Sequence, residues 1–373
     1  MSYFLSTATP RKDTILARQI AFAAAFLLPA AKLLEVPSLL AKHAAGDLLL
    51  PALLHFLTQT LLLLAVLYAA SKSEKTLLER LKLRLGKGIF IVYTLYALYF
   101  LFTAVLPLLD LEKFISAAFF DTAPTTFSFA VFFFFTAYLC TKGIKSIGRS
   151  ADLCLFLFLF PFFALLVMAL PAADFSALLP LFGEPFAHTK TAFSITTPHF
   201  FDCVLLLPLI ANLRYQKHDG AKITIGYTVG SGFSLLFFAF FYGIFSSIAP
   251  REHYAFLKIA QYFPALSVVG RIDLLFIYLL TVVLLFYTCL PLQYTTDCLA
   301  NLLHTERKTW ISALLSLFLL IVILFTNRYY DGFYRVITQK LPVIFWIFGG
   351  IFPLLLLLLP VKPNEKKKDQ PYA

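Results

Sequence analysis

The chain has 373 residues, of which 60% are hydrophobic and only 14% charged, and its mean hydropathy is +0.83. This composition excludes a soluble globular protein, and apolar runs such as Leu153–Ala173 and Thr309–Thr326 can cross most or all of the ~30 Å hydrocarbon core of a membrane. The net charge of +11 does not indicate a nucleic acid partner, because most of the lysines and arginines fall in alternate loops.

Ten apolar segments are predicted to span the membrane, and because lipid offers the backbone no hydrogen-bond partners, they must be helices. In chain order they are 16–40, 48–70, 88–109, 125–141, 150–172, 194–213, 222–248, 272–300, 308–326 and 339–361. They divide into two five-helix repeats, 16–172 and 194–361. An odd number of spans per repeat forces opposite orientations, so the sequence predicts an all-α, leucine-transporter-like 5+5 inverted repeat in a single integral membrane domain, 1–373.

The positive charges predict the orientation of the chain in the membrane. The basic loops and both termini fall on one side of the ten spans, which the positive-inside rule assigns to the cytoplasm. The segment 71–88 is either an amphipathic helix at the bilayer surface or a basic linker between spans. The basic tail 362–373 fits a cytoplasmic end near anionic lipid. The polar start of the chain, Met1–Thr14, does not indicate a cleaved signal peptide.

The first predicted span is interrupted between Phe26 and Pro37. Pro29 and Pro37 lack a backbone N–H, so nearby carbonyls lose their helical partners, and Lys32 and Glu35 lie in an otherwise apolar stretch. One interpretation is an internal Lys32–Glu35 ion pair at the outer end of the span. The other is that these residues contact a zwitterionic ligand or carry a proton, since charges within membrane spans usually mark functional sites.

The sixth span, the first of the second repeat, has a matching interruption. It contains Pro198, His199, Phe200, Phe201, Asp202 and Pro208. The Asp202 carboxylate either caps a helix that begins late or faces a cavity, and Lys32 is its predicted partner if the two breaks meet. Broken helices at matching places in two repeats indicate the substrate site of an inverted-repeat transporter fold.

Tyrosines and glycines complete the set of candidate residues. Tyr96 in the third span and Tyr278 in the eighth are predicted walls of the site, although tyrosine stripes are also typical of helix packing and interfacial belts. Gly226 and Gly230, four residues apart in the seventh span, predict close helix packing, as does Gly349 in the tenth.

Enzyme signatures are missing from the sequence, which has no phosphate loop, no zinc-protease histidine pair and no nucleophile-elbow motif. The five cysteines and seven histidines lack ligand spacing, so no metal site, disulfide or other cofactor site is predicted. The sequence therefore predicts a protein that is not an enzyme.

Three strings, together with Phe201, Asp202 and Pro208 of the sixth span, resemble the spore germination proteins of the GerAB/GerB type, a family within the amino acid–polyamine–organocation transporter superfamily. The strings are PSLLAKHAAGD at 37–47, KGIKSIGR at 142–149 and GRIDLLFI at 270–277. On this resemblance, Gly143, Arg149, Arg271 and Asp273 are structural residues of the family motifs. The chain departs from the family pattern at the first break, where Ala30 and Ala31 replace glycines.

The resemblance implies a germinant-receptor B-type subunit in the inner membrane of an endospore-forming bacterium. Such a subunit senses a small nutrient, commonly an amino acid, together with an A-type membrane subunit and a C-type lipoprotein. Two alternatives share the same fold, and a fold does not settle function. One is a proton-coupled amino acid transporter that carries its proton on Glu35 or Asp202, and the other is a scaffold subunit with a closed pocket.

Overall fold

The computed structural model describes residues 15–72, 75–119, 125–180, 183–262, 272–327, 329–355 and 358, and this part of the chain consists of helices joined by short loops. The helices are α1 (Ala17–Lys32), α2 (Val36–Ala44), α3 (Leu49–Ser71), α4 (Leu77–Leu85), α5 (Ile89–Phe119), α6 (Thr125–Cys140), α7 (Ile144–Ala169), α8 (Phe186–Thr196), α9 (Asp202–Ala211), α10 (Asp219–Phe245), α11 (Ala255–Tyr262), α12 (Ile272–Leu302), α13 (Lys308–Asn327), α14 (Gly332–Lys340) and α15 (Pro342–Leu355). The features predicted at Met1–Thr14, at Arg271 and in the tail 362–373 lie outside the described residues.

The described residues include seven helices that are long and apolar enough to cross a membrane, and nine crossings if two bent helix pairs each count as one. The bent pairs are α1 with α2 and α14 with α15. Helix α6 coincides with the predicted fourth span but has 16 residues, or about 24 Å of length. The all-helical membrane fold is therefore confirmed, while the count of ten spans remains a prediction.

The predicted interruption of the first span is present, and α1 and α2 meet at 61°. Pro29 does not break the helix, contrary to the prediction, because a π-helical turn at Ala23–Leu27 precedes it and accommodates its missing N–H. The helix ends at Lys32 instead. Pro37 lies in the first turn of α2, where proline is well tolerated.

The predicted sixth span is interrupted, as expected, but its first helix begins earlier, at Phe186 rather than at 194. A 3-10 turn at Thr197–His199 and two non-helical residues separate α8 from α9. Pro198 lies in that turn. Pro208 lies inside α9, which continues past it, so the predicted break at Pro208 is wrong.

A second sharp bend, at 53°, separates α14 from α15 and was not predicted from the sequence. Pro342 is the first residue of α15, and Leu341 before it has non-helical dihedral angles. A residue that precedes proline is sterically disfavoured in the α conformation, which explains why the helix stops there.

Two glycines allow α10 to pack directly on the backbone of α1. A Cβ atom on Gly226 would lie within 3.0 Å of the Ala21 carbonyl oxygen, and one on Gly230 would lie equally close to that of Ala24. Only glycine permits helices to approach this closely. The predicted packing motif is therefore confirmed, and it holds α10 beside the first break.

Candidate functional site

A buried ion pair joins the two helix breaks. Lys32 ends α1 and Asp202 begins α9, and Lys32 Nζ lies 2.6 Å from Asp202 Oδ1, with side chains 2% and 3% exposed. The predicted partnership of Lys32 with Asp202 is thus present in the structure. The alternative in which Asp202 caps its helix is wrong, since Phe201 is the N-cap residue and no side chain caps it.

Three further groups surround the pair. The Tyr227 hydroxyl donates to Asp202 Oδ2 at 3.0 Å, so each carboxylate oxygen has a donor. The Lys32 ammonium also donates to the Leu28 carbonyl at 3.4 Å and lies 5.6 Å from the Phe200 ring centroid. Sequence reasoning missed Tyr227, although its place between Gly226 and Gly230 on the closely packed face of α10 was a usable signal.

Side chains of α3 satisfy the backbone groups that the second break leaves free. The Cys203 amide donates to Gln59 Oε1 at 3.1 Å. His55 Nε2 donates to the Phe193 carbonyl at 2.9 Å, and the His55 ring stacks between Phe193 and Phe200. Unpaired backbone groups at membrane depth are costly, so these contacts stabilise the non-helical segment.

A helix from the second half of the chain performs the same task at the first break. The carbonyls of Leu33 and Leu34 accept hydrogen bonds from the amides of Phe256 at 3.1 Å and Ala255 at 3.0 Å, which lie in the first turn of α11. These are carbonyls that the bend deprives of helical partners. The free amino-terminal amides of one helix therefore satisfy the free carbonyls at the end of another.

Glu35 does not pair with Lys32, so the interpretation of an internal ion pair is wrong. Its Oε2 lies 3.2 Å from Nδ1 of His253, in the loop before α11, with side chains 12% and 64% exposed. The hydrogen bond to Glu35 raises the pKa of His253, and burial and Lys42 oppose the shift. Glu35 thus links the first break to the loop at that end of the bundle.

The His253–Glu35 contact predicts a pH-dependent stability. Because the folded state raises the pKa of His253, its contribution is fully present below the unfolded value of 6.5 and is lost as pH rises through the folded value. The contribution of this contact, taken as the difference in thermal unfolding midpoint between the wild type and His253→Gln in detergent, should therefore fall from about pH 6 to about pH 8. The corresponding difference for His188→Gln, which removes another surface histidine–glutamate contact, should not follow this profile. An identical pH profile in the wild type and His253→Gln would contradict it.

A cavity of about 50 Å³ lies between the two breaks. Its lining includes Tyr99, Asp110, Pro198, His199, Phe201, Asp202, Tyr287 and Phe345. His199 Nε2 lies 3.3 Å from the Tyr334 hydroxyl, and the Tyr330 hydroxyl donates to Asp110 at 3.1 Å. On the measure by which one water needs about 10–15 Å³, this cavity has room for only a few water molecules, so it is small for a nutrient in this conformation.

The two predicted tyrosine walls lie elsewhere. Tyr96 lines a second cavity, of about 630 Å³, on the side of the bundle that carries the basic loops. Tyr278 is 58% exposed on the outer surface of α12. Tyr99 and Tyr287, on the same two helices, line the cavity at the breaks instead. The sequence gives the helix of a tyrosine, but not its depth or the direction it faces.

The family-motif residues that the structure describes are Gly143, Arg149 and Asp273. Gly143 has φ +79°, a left-handed conformation that glycine adopts without strain, and directly precedes α7. Arg149 is exposed, whereas Asp273 is buried near the start of α12. Among the described residues, no three His, Cys, Asp or Glu side chains are grouped as a metal site would require.

The fold is similar to that of the manganese transporter from Eremococcus coleocola. Its crystal structure with an aromatic bis-isothiourea substituted compound aligns with a TM-score of 0.53 at 15% identity, covering 90% of this chain and 78% of that chain. A mutant of that transporter aligns with a TM-score of 0.52 at 15% identity, covering 94% and 81%. Identity this low shows the fold alone, which is a helical transporter fold of the leucine-transporter type.

No curated protein sequence matches the chain. A family model described as spore germination protein matches residues 14–331, a range that contains both helix breaks and all three motif strings. The chain therefore belongs to the spore germination protein family, and it is a permease-type or receptor-type membrane protein rather than an enzyme.

Proposed function

We propose that the protein is the B-type subunit of a germinant receptor, which binds a small nutrient, an amino acid, at the two helix breaks and so triggers spore germination. The observation that carries the proposal is the buried Lys32–Asp202 pair, which places opposite charges where the breaks meet. A zwitterionic amino acid carries the complementary charges. The proposed ligand-binding residues are Lys32, Glu35, His199, Phe200, Phe201 and Asp202, with Tyr99 and Tyr287 as walls in place of Tyr96 and Tyr278.

In this proposal the chain crosses the spore inner membrane ten times as two inverted repeats of five. The seven single spans and two bent pairs account for nine crossings, and α6 provides the tenth where the bilayer thins around a short helix. The basic loops then place both termini in the cytoplasm. The proposed partners are an A-type membrane subunit and a C-type lipoprotein.

Nutrient binding requires the site to widen, because the cavity has room for only a few water molecules. An amino acid that enters exchanges the contacts of the pair: its ammonium group meets Asp202 and its carboxylate meets Lys32. Since this pair connects α1 to α9, its separation loosens the junction between the repeats. The nutrient shifts the equilibrium towards the open state only by its difference in affinity for the two states.

The test is a thermal-shift screen of single amino acids on the purified protein. A germinant should raise the unfolding midpoint of the wild type, since ligand that binds only the folded state stabilises it. Asp202→Asn should lose this shift. Asp152→Asn should retain it, because it alters a more exposed ion pair, with Arg18. Spores that carry Asp202→Asn should also fail to germinate on that amino acid.

Other outcomes of this screen identify the alternatives. Uptake of the stabilising amino acid into vesicles, driven by a proton gradient, would establish a carrier in place of a receptor. The small cavity favours the scaffold alternative, in which the pocket stays closed. Absence of any shift in folded protein, with the A-type and C-type partners present, would overturn the proposed function in favour of the scaffold.

A further inference from the structure

The groups that surround the ammonium group of Lys32 are of the kinds that bind a cation. It lies 2.6 Å from the Asp202 carboxylate, 3.4 Å from the Leu28 carbonyl oxygen and 5.6 Å from the Phe200 ring centroid. A carboxylate, a carbonyl and an aromatic face all attract a cation. The carboxyl end of α1, where Lys32 lies, adds the negative end of its helix dipole.

We infer that Lys32 is a tethered amine that fills the ammonium position of the broken-helix site, so that the protein is its own cationic ligand. Asp202 has no oxygen left without a donor, because Oδ1 accepts from Lys32 and Oδ2 accepts from Tyr227. The buried Lys32 ammonium fills the space beside Oδ1, so a free amine takes that position only by displacing Lys32. Lys32 thus determines specificity, because it competes with every ligand that is recognised through an ammonium group.

The side chain that fills the position has a simple free equivalent. Truncation of Lys32 to alanine removes three methylene groups and the ammonium group, which together correspond to n-propylammonium. The vacated space is enclosed, since the Lys32 side chain is 2% exposed. A Lys32→Ala variant should consequently bind n-propylammonium in place of the missing side chain, whereas the wild type should not.

The experiment measures thermal unfolding of the purified full-length chain with n-propylammonium chloride or with potassium chloride at equal ionic strength. Saturating n-propylammonium should raise the unfolding midpoint of Lys32→Ala by about 2–4 °C. The wild type should show no such shift. Neither should Lys32→Ala/Asp202→Asn, which lacks the carboxylate, nor Lys32→Met, in which an uncharged chain fills the space.

If Lys32→Ala is not recovered as folded protein, the readout becomes its recovery when n-propylammonium is present throughout purification. Recovery with n-propylammonium but not with potassium chloride supports the inference. Failure in both, when Lys32→Ala/Asp202→Asn is recovered folded, overturns it. An equal shift in the wild type and Lys32→Ala also overturns it, because the amine would then bind elsewhere.

The competition between Lys32 and a nutrient rests on the proposed function, whereas the tethered amine itself does not. The experiments can therefore refute the tethered amine and the nutrient site separately. Rescue by n-propylammonium in a protein that binds no amino acid would leave the tethered amine established and the nutrient site refuted. Amino acid binding by the wild type, with no rescue of Lys32→Ala, would have the opposite meaning.

Discussion

Replacement of Lys32 by methionine is expected to destabilise the folded protein by about 3–5 kcal/mol, because it leaves the buried Asp202 carboxylate without its counter-charge. Methionine has a similar length, so the loss reflects charge rather than volume. The measurement is the free energy of unfolding in mixed micelles, by titration with a denaturing detergent. The control is Arg18→Met, which breaks a more exposed pair with Asp152 and should cost less than ~1 kcal/mol.

A second substitution separates charge from packing. Removal of both charges in Lys32→Met/Asp202→Asn should recover most of the stability lost in Lys32→Met, because an apolar or neutral replacement of a buried ion pair is often tolerated. Tyr227 can still donate to the asparagine oxygen that replaces Oδ2. If Lys32→Met lowered the free energy of unfolding as little as Arg18→Met, the Lys32–Asp202 pair would not be shielded from water as it is in the structure.

The second large effect is expected at the contact between α10 and α1. Gly230→Ala places a methyl group within 3.0 Å of the Ala24 carbonyl oxygen, and a backbone atom cannot rotate away as a side chain can. Overpacking of this kind costs about 1–3 kcal/mol or more, and the helices must separate to relieve it. Gly230→Ala should reduce the yield of monodisperse protein and lower its unfolding midpoint, and Gly226→Ala should do the same.

The matched control lies two residues further along the same helix. A Cβ atom on Gly232 meets nothing within 4 Å, so Gly232→Ala introduces no clash. It should be neutral or stabilise the helix by up to ~1 kcal/mol, because alanine has the higher helix propensity. Equal tolerance of Gly230→Ala and Gly232→Ala would show that the two helices are not packed through their backbones.

The parts of the site that could be predicted are those for which the membrane interior permits few stable arrangements. Lys32 and Asp202 are charges within apolar spans, so each requires a partner. Their matching positions in the two predicted repeats indicated that they pair with one another. The spacing of Gly226 and Gly230 likewise allowed one interpretation, close packing. In each case the physical penalty for any other arrangement is large, so a short pattern in the sequence is informative.

The parts that could not be predicted depend on tertiary contacts. Helix α8 contains threonine, lysine and histidine, and its residues 186–193 lay outside the predicted sixth span, yet its buried face of Thr189, Ala192 and Thr196 packs inside the bundle. The interpretation in which Lys32 pairs with Glu35 is wrong because the fold brings Asp202 to Lys32 and His253 to Glu35, although Glu35 is nearer to Lys32 in sequence. Tyr227 and His55 gain their roles only when α10 and α3 lie beside the breaks.

The first transmembrane segment cannot reach its final state while the ribosome is still producing the first half of the chain. The counter-charge for Lys32 is 170 residues further along the chain, and the amides that bond the carbonyls of Leu33 and Leu34 come later still, at Ala255 and Phe256. Until the second half is inserted, the first half therefore lacks the counter-charge of Lys32 and the hydrogen-bond donors for the carbonyls of Leu33 and Leu34. A truncated protein that ends at residue 172 should be degraded faster than the full-length chain in a pulse-chase experiment, because it lacks the groups that pair with Lys32, Leu33 and Leu34.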